Sequence, residues 1–523
     1  MPRLSNSNWG TTGVGCPAVQ AKYARKGSPS GGSILITSAP QSARRVAAAG
    51  AATQKPSSIT LVPARGPSTG SSGLLGRISY PKVSRPGPAP SRWGFCGLKS
   101  SKPSRPPAGS QQSHSRRGSV AAQTADVIVV GGGVVGTGTA FHLARLGAGK
   151  VVLCERRFLA AGASGKSGAL VRMHYTNEPE ARLARFSLDY FKNWADLVGT
   201  GDCGFMPVGM LRLVAPESEG KLRANVEMLR RLGVNTRVVG PEELLELAPD
   251  WRFDDVTAAA YEPESGFADP VATTYGFAEA ARRLGAQIVT GTEVLDIIVE
   301  GGRARGVITS RGPISAGAVV VAGGVWAMGL LGRLHIGVKL YPMRVQVAVF
   351  RRPPGPRVLH PVCIDGPNEM WLRPEGPGWA STLVGIAQRE ILSDVDDLAE
   401  GVDADYVRAA RERASRRVPA LAAAPMRGGW AGAITFTEDG KPIIDRHPEV
   451  EGLYFFAGDC GTSFKTSPGV GLGLAEWVVK GRPETVDLRP FRASRFAEGK
   501  PIVGEHEYGD RDYDYARLKV ILG

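Results

Sequence analysis

The N-terminal part of this chain has no acidic residues at all. Residues 1–125 contain 17 Lys and Arg side chains, and the first carboxylate is Asp126. Of the 64 basic residues in the chain, the 47 that remain are matched by 49 acidic ones, so the rest of the protein is close to neutral. A protein that binds nucleic acid through a folded body concentrates positive charge in that body. The charge distribution therefore excludes nucleic-acid binding.

The same acid-free segment lacks a sustained apolar period and the apolar core of a secretory signal. It is rich in Ser, Pro, Gly, Ala and Arg, a composition that cannot bury a core and predicts disorder over residues 1–123. Acid-free N-termini rich in Arg and Ser are typical of organelle transit peptides. Its length and Ser/Pro content favour a chloroplast over a mitochondrion. The alternative is a misassigned start codon or a plain disordered tail.

Cysteines and long apolar runs are also scarce. The six cysteines show no C-x-x-C spacing, so we expect neither a disulfide framework nor a metal site. The longest run without charge, residues 312–332, contains Pro313 and six glycines. We interpret it as a strand, a Gly-Gly turn and a short helix. A membrane span is therefore not expected, although the length alone would allow one.

The chain does contain an ordered glycine motif directly after a short apolar run. The β-branched stretch Asp126–Val130 predicts a buried parallel strand. Gly131, Gly133 and Gly136 then fit G-x-G-x-x-G, which provides a tight turn, room for a pyrophosphate and close packing of the next helix. Glu155 follows the second strand, where a carboxylate accepts hydrogen bonds from ribose hydroxyls. The motif predicts a dinucleotide site; the alternative is a glycine-rich turn in an unrelated α/β domain.

Strand and helix signals predict that this dinucleotide-binding domain is discontinuous. Asp269-Pro270 reads as a helix start, with an N-cap acid before a proline at the first helical position. AVVVAGG at 318–324 returns to a buried parallel strand, whereas residues 338–425 alternate as an antiparallel sheet does. The predicted dinucleotide-binding segments are 124–205, 256–337 and 426–485, the predicted substrate domain is 206–255 and 338–425, and residues 486–523 are a C-terminal tail.

Three blocks over residues 124–482 resemble the FAD-dependent amine and amino-acid oxidoreductases of the D-amino-acid oxidase family, in the branch of sarcosine oxidase and glycine oxidase. The first is DVIVVGGGVVGTGTAFHLARLGAGKVVLCER with GASGKSGALVRMHY. The second is YEPESGFADPVATTYGFAEAARRLGAQIVTGTEVLDI with AVVVAGGVWA. The third is GGWAGAITFTEDGKPIIDRHPEVEGLYFFAGDCGTSFKTSPGVGLGLAEWV. The resemblance implies an α/β protein with a Rossmann-type FAD-binding domain and an inserted antiparallel α+β substrate domain.

FAD is the cofactor that this resemblance implies. The late glycines, Gly458-Asp459 and Gly469-Val470-Gly471, are expected to bring backbone close to the ribityl chain and the flavin ring. Ser164 and Ser167 match loop positions that contact the flavin in relatives; the alternative is ordinary loop residues. The full predicted cofactor set is Gly131, Gly133, Val134, Val135, Gly136, Glu155, Arg156, Ser164, Ser167, Val294, Gly323, Gly458, Asp459, Gly469, Val470 and Gly471.

Two cations match the residues that hold the substrate carboxylate in sarcosine oxidases. Arg172 and Lys465 would fix that carboxylate and so place the reacting C–H bond over the flavin; the alternative is that both are surface cations. His174 and Tyr175 are expected beside them, with His174 either orienting substrate, serving as a base or simply packing. The predicted catalytic set is Arg172, Lys465, His174 and Tyr175, and the predicted lining of the substrate pocket adds Arg344, Gln346, Trp371 and Arg373.

The chain departs from the family at two positions. Gly432 stands where single-subunit sarcosine oxidases attach the flavin through cysteine, so a cysteinyl link there is excluded and covalent attachment is otherwise open. Thr382 and Leu383 stand where some relatives have a lysine that activates dioxygen. The electron acceptor is therefore either dioxygen or a quinone or flavoprotein.

The resemblance thus predicts an enzyme that oxidises the C–N bond of a small amino acid or N-methyl amino acid by hydride transfer to flavin. Two alternatives stay open at this point. One is a flavin-bearing assembly factor of an organellar electron-transfer complex. The other is a 2-hydroxy-acid dehydrogenase, because the same cation pair would bind a hydroxy acid.

Overall fold

A computed structural model describes residues 123–353, 359–387 and 389–508. The predictions for the leader at 1–122 and for the last part of the tail at 509–523 lie outside these residues. The helices are α1 (Val134–Arg145), α2 (Glu178–Lys192), α3 (Trp194–Leu197), α4 (Glu219–Arg231), α5 (Pro241–Leu247), α6 (Pro270–Arg283), α7 (Ala327–Arg333), α8 (Ala404–Arg417) and α9 (Ser467–Lys480). 

The strands are β1 (Gln123–Thr124), β2 (Val127–Val130), β3 (Val151–Cys154), β4 (Leu170–Val171), β5 (Met210–Leu213), β6 (Arg237–Val239), β7 (Ala259–Glu262), β8 (Gly266–Phe267), β9 (Gln287–Val289), β10 (Val294–Glu300), β11 (Arg303–Thr309), β12 (Gly312–Ser315), β13 (Ala318–Val321), β14 (Tyr341–Arg351), β15 (Val362–Asp365), β16 (Met370–Glu375), β17 (Ser381–Ile386), β18 (Arg389–Ile391), β19 (Met426–Phe436), β20 (Ile443–Arg446) and β21 (Leu453–Ala457).

The first glycine motif belongs to a six-stranded sheet of order β20-β21-β13-β2-β3-β9. Its strands are parallel except β20, which pairs antiparallel with β21 at the edge. Strand β2 is buried on both faces, because α1, α6 and α9 cover one side of the sheet and α7 with the sheet β1-β12-β11-β10 covers the other. The predicted α/β class is confirmed.

A nine-stranded sheet stands beside it, of order β18-β14-β17-β16-β15-β5-β7-β6, with β19 paired to β14. Its pairings are antiparallel apart from β15 with β5. Helices α5 and α8 pack against one face of this sheet through apolar side chains such as Leu244, Tyr406 and Ala410. This is the antiparallel α+β layer that the sequence predicted.

Two segments lie in a different sheet from the one that the sequence predicted. Strand β7 was placed in the dinucleotide-binding part, but it pairs with β5 and β6 in the nine-stranded sheet. Strand β19 was placed there too, but it pairs with β14 along its length, for example Gly432 opposite Val345. The reason is that both strands find their backbone partners in the larger sheet, which residue composition alone does not reveal.

Several local predictions are confirmed. Asp269 caps α6, with its Oδ1 accepting hydrogen bonds from the N–H groups of Val271 and Ala272 at 2.9 Å each. The charge-free run at 312–332 resolves into β12, β13, a short turn and α7. Within the described ranges, no helix combines the length and the apolar character that a bilayer crossing requires. Helix α2 begins at Glu178, and Asn177 caps it by accepting from the Glu180 N–H at 3.0 Å.

Candidate functional site

A cavity of about 710 Å³ lies between the two sheets. This volume is within the range of ligand pockets, about 300–1,000 Å³. Its wall contains two groups of polar and glycine residues. We call Gly131–Val135, Glu155 and Ser164 the glycine-turn cluster. We call Arg172, Tyr175 and Lys465 the cation cluster.

Close backbone packing fixes the glycine turn. Gly131 has a φ of +108°, and a Cβ atom there would lie 2.4 Å from the carbonyl oxygen of Ala322, just after β13. A Cβ atom on Gly136 would lie 2.0 Å from the carbonyl oxygen of Gly131. Both positions therefore require glycine, the first for its conformation and the second for the close approach of α1 to the turn.

The N-terminus of α1 faces the cavity. Its N-cap residue is Gly133, which has no side chain to cap the helix, and Val134 and Val135 line the wall. The Ser164 hydroxyl accepts a hydrogen bond from the Val134 N–H at 2.9 Å. Free N–H groups and the positive end of the helix dipole favour an anionic group at this point. The predicted Ser164 thus lies where a pyrophosphate would meet the helix.

Glu155 stands at the carboxyl end of β3, as predicted. Its Oε2 accepts from the Gly132 N–H and its Oε1 from the Arg157 N–H, both at 2.7 Å. The guanidinium of the neighbouring Arg156 lies 5.0 Å from the ring centre of Trp326 and forms a 2.8 Å ion pair with Asp396. Of the other predicted cofactor residues, Ser167, Val294 and Gly323 also line the cavity.

The two cations predicted from distant parts of the chain meet over one aromatic ring. The Cζ atom of Arg172 lies 4.7 Å and the Nζ atom of Lys465 lies 5.3 Å from the ring centre of Tyr175. Arg172 also donates to the carbonyl oxygen of His174, and Lys465 donates to that of Thr462 at 2.7 Å. A ring face attracts cations, so Tyr175 holds both charges close together. The structure therefore places neither cation as a free surface group.

Burial makes this pair electrostatically costly in the absence of an anion. Lys465 is 5% exposed, and its burial, reinforced by the charge of Arg172, holds its pKa well below the usual value. The buried carboxyl of Glu262 lies behind the pair and accepts from the Met173 N–H at 3.0 Å and the Ser265 hydroxyl at 2.6 Å. Burial also raises the pKa of Glu262. A carboxylate entering the cavity would relieve the repulsion between the two cations.

His174 is a packed, neutral imidazole. Burial, together with the charges of Arg212 and Arg172, holds its pKa well below the usual value. Its Nε2 lies 2.6 Å from the Tyr508 hydroxyl, and the two rings stack with centres 5.9 Å apart. Its buried Nδ1 has no hydrogen-bond partner within the described part of the chain. This environment favours a positioning role over that of a base.

The late glycines do not line the cavity, although the resemblance implied that they would lie against the flavin. A Cβ atom on Gly469 would lie 2.7 Å from Leu183 of α2, and one on Gly471 would lie 2.8 Å from the backbone of Gly138 in α1. These glycines and Val470 are buried inside α9 and permit close helix packing. Gly458 packs on Thr437 instead. The cavity wall takes its residues from Asp459–Lys465, just before α9 begins.

Of the four residues of the large sheet that are predicted to line the cavity, two line it and two lie outside its wall. Arg344 and Gln346 share one face, because both contact Asp403, at 2.6 and 2.9 Å. Gln346 and Trp371 line the cavity. Arg344 is held by Asp403, and Arg373 lies behind the wall, 4.6 Å from the ring centre of Phe267 and paired with Glu375 at 2.8 Å.

Sequence reasoning missed three side chains that line the cavity beside or near the cation cluster. Arg212 projects from β5, Lys441 lies before β20 and pairs with Glu180 at 3.2 Å, and Tyr508 comes from the C-terminal tail. A charged residue within the apolar strand Met210–Leu213 was a signal for Arg212. No local signal marked Tyr508, whose contacts depend entirely on how the tail folds back.

Together, the glycine turn on a parallel sheet and a second sheet across the cavity define a protein of the dinucleotide-binding class. The model of the FAD dependent oxidoreductase family (DAO) matches residues 126–477, and the chain belongs to this family. In the crystal structure of glycine oxidase from Geobacillus kaustophilus, the match covers 72% of this chain and 99% of that one, at 27% identity and a TM-score of 0.63.

Two similar proteins from Mus musculus are much longer than the matched region. The chain is 28% identical over 386 residues to mitochondrial sarcosine dehydrogenase, covering 71% of this chain and 42% of that protein. It is 26% identical over 383 residues to the mitochondrial regulatory subunit of pyruvate dehydrogenase phosphatase, covering 71% and 43%. The chain therefore spans less than half the length of either relative. A catalytic and a regulatory protein share this region.

The residues present fit FAD. The Gly131 turn, the start of α1 and the Ser164 hydroxyl make a cradle for a pyrophosphate, and Glu155 stands where a ribose is bound in this fold. Residue 432 is glycine, so no thiol is available at that position. The nearest methylene group of Lys166 lies 3.3 Å from where a Cβ atom would be. The four cysteines in the described part of the chain are buried thiols.

Proposed function

We propose that this protein oxidises the C–N bond of a small amino acid or N-methyl amino acid, such as glycine or sarcosine. The observation that supports it is the cation cluster, with Arg172 and Lys465 over Tyr175 in the same cavity as the glycine turn. An amino acid carries one carboxylate, and a desolvated cation pair is suited to bind it through charge-assisted hydrogen bonds.

Each part of the cavity has a separate task in this proposal. The glycine turn and the N-terminus of α1 hold the pyrophosphate, and Glu155 binds the ribose. Arg172 and Lys465 bind the substrate carboxylate and so fix which C–H bond points at the cofactor. When bound, FAD supplies the chemistry by accepting a hydride from the substrate. Gln346 and Trp371 contribute to the cavity wall from the nine-stranded sheet.

The electron acceptor in this proposal is a quinone or a flavoprotein rather than dioxygen. The family position of an oxygen-activating lysine is here Thr382, whose hydroxyl lies 3.1 Å from Nε2 of the buried His360. Burial lowers the pKa of His360 to about 3, so neither side chain supplies positive charge. We also propose an organelle as its location, supported by the acid-free leader and by mitochondrial relatives; the preference for a chloroplast stays a prediction.

Anaerobic reduction of the bound flavin tests the proposal. Glycine, sarcosine, proline and other small amines are added to the purified full-length protein without oxygen, beside a matched series of 2-hydroxy acids. We expect bleaching by at least one amine and by none of the hydroxy acids. Mixing the reduced protein with air then identifies the acceptor, because slow reoxidation indicates a dehydrogenase. Reduction by hydroxy acids alone contradicts the proposal.

One relative is a regulatory subunit, so a protein with a bound but unreactive flavin is the second candidate. It predicts that no member of the amine series bleaches the flavin, and that the protein co-purifies with a larger complex. The intact cation cluster supports the enzyme instead, because a regulatory role does not require a buried lysine and an arginine over one aromatic ring in the cavity.

A further inference from the structure

The C-terminal tail forms part of the cavity wall, although it lies beyond the family match. The match ends at residue 477, whereas Phe496, Ile502, Val503, Glu507 and Tyr508 all line the cavity. The family model therefore does not account for this part of the wall.

A buried ion pair anchors the tail to the body. Arg495 donates to both carboxylate oxygens of Asp439 at 2.8 and 2.9 Å, and both side chains are almost fully buried. Asp439 also accepts from the Ile502 N–H at 3.0 Å and itself lines the cavity. The tail is thus fixed in place at the point where it turns towards the cavity.

Beyond this anchor, the tail lies against the start of α2 and against α4. The Thr176 hydroxyl donates to Glu507 at 2.8 Å, and Asn225 of α4 donates to the carbonyl oxygen of His506 at 2.9 Å. Gly504 approaches so closely that a Cβ atom there would lie 2.5 Å from the carbonyl oxygen of Thr176. These contacts fix the tail from Gly504 to Glu507. They therefore position Tyr508, the last described residue.

The ring of Tyr508 lies one side chain away from the cation cluster. Its hydroxyl and ring both contact His174, and the Cζ atom of Arg212 lies 4.7 Å from its ring centre. The backbone carbonyl of that same His174 accepts from Arg172. The Tyr508 ring therefore lines the same cavity as Arg172 and Lys465, and His174 contacts both Tyr508 and Arg172.

We infer that Tyr508 is a specificity-determining residue, and that its ring sets the upper size limit of the substrate side chain. This inference rests on the proposed function, since it takes the cation cluster as the carboxylate site. Two ring contacts and one hydrogen bond hold the phenol in place, so the ring cannot swing aside at low cost. Removing the ring leaves a space that longer aliphatic substrates fill.

The test uses Tyr508→Ala and Tyr508→Phe in the full-length flavin-loaded protein. Retained flavin and an unchanged thermal midpoint establish that each variant is folded. Binding of acetate, propionate, isobutyrate and isovalerate is followed by the change in the flavin absorption spectrum. A single methylene in an apolar pocket changes selectivity by about 10- to 200-fold. We expect Tyr508→Ala to raise the affinity for isovalerate relative to acetate at least ~10-fold, and Tyr508→Phe to leave the ratio unchanged.

An unchanged ratio in Tyr508→Ala overturns the inference, and so does an equal shift in Tyr508→Phe, which would assign selectivity to the hydroxyl. Because these carboxylates are not oxidised, binding is measured without turnover. If the wild-type protein binds them but no amine reduces the flavin, the proposed reaction fails while the ratio still decides the role of Tyr508. If it binds none of them, the carboxylate site and the inference fail together.

Discussion

The two clusters in the cavity are built in opposite ways. The glycine-turn cluster comes from one continuous stretch, from Gly131 to Ser164, and backbone packing shapes it. The cation cluster joins Arg172 and Tyr175 to Lys465, and its surroundings add Arg212 and Tyr508 from the large sheet and the tail. The first cluster depends on local geometry and the second on the complete tertiary fold. Variants should therefore damage cofactor binding and substrate binding separately.

The largest expected effect is loss of the cofactor in Gly136→Val. A Cβ atom there would lie 2.0 Å from the carbonyl oxygen of Gly131, and the branched side chain forces α1 away from the turn. We expect protein without flavin, measured as the ratio of flavin to protein absorbance. The matched control is Gly220→Ala in α4, where a Cβ atom meets nothing within 4 Å. Loss of flavin in that control as well would indicate general destabilisation.

A large loss of stability is expected when the tail anchor is broken. Arg495→Met leaves the buried carboxylate of Asp439 without its cation, and breaking a buried pair costs about 3–5 kcal/mol. Denaturant unfolding measures this loss. The control is Arg489→Ala, which removes an exposed pair with Asp487 and should leave the midpoint unchanged. If Arg495→Met keeps its flavin but binds carboxylates more weakly, the tail supports the cation cluster alone. An equal loss of flavin and of carboxylate affinity would contradict the separation of the two clusters.

Removing either cation should weaken substrate binding while the flavin stays bound. A hydrogen bond to a charged group is worth about 1.5–3 kcal/mol, so Arg172→Ala or Lys465→Ala should raise KM by roughly 10- to 100-fold. Steady-state kinetics and the flavin ratio measure the two effects. Arg185→Ala, which removes an exposed cation paired with Asp189 on α2, is the control. Flavin loss in the cation variants would mean that these residues serve the cofactor.

The smallest effect is a pH dependence of KM that arises from Lys465. Its folded pKa lies well below the usual value, so it loses its proton, and with it its attraction for carboxylate, as pH rises through that lowered pKa. We therefore expect KM to increase with pH at pH values below the ordinary lysine pKa of about 10.4. Lys465→Arg should remove this slope, because a guanidinium group keeps its charge throughout the accessible pH range. A slope that survives in Lys465→Arg belongs to another group.

The same contrast explains what was predictable from the sequence. The turn at Gly131, the acid at Glu155 and the N-cap Asp269 follow from short-range rules, and the structure has them where those rules place them. Gly469 and Gly471 resemble a cofactor-binding turn in sequence. In the structure they instead allow α9 to pack closely on α1 and α2. Tyr508 reaches His174 because the tail folds back over the body, held by Arg495 and by its contacts with the start of α2 and with α4. Such placements depend on tertiary contacts that no local pattern encodes.

Anaerobic addition of sarcosine to the flavin-loaded wild-type protein and to the Arg172→Ala, Lys465→Ala double variant tests the central claim most directly. The wild-type flavin should bleach at a substrate concentration that leaves the double variant oxidised, although both carry the same amount of flavin. Equal bleaching of the two proteins would contradict the assignment of the cation cluster to the substrate.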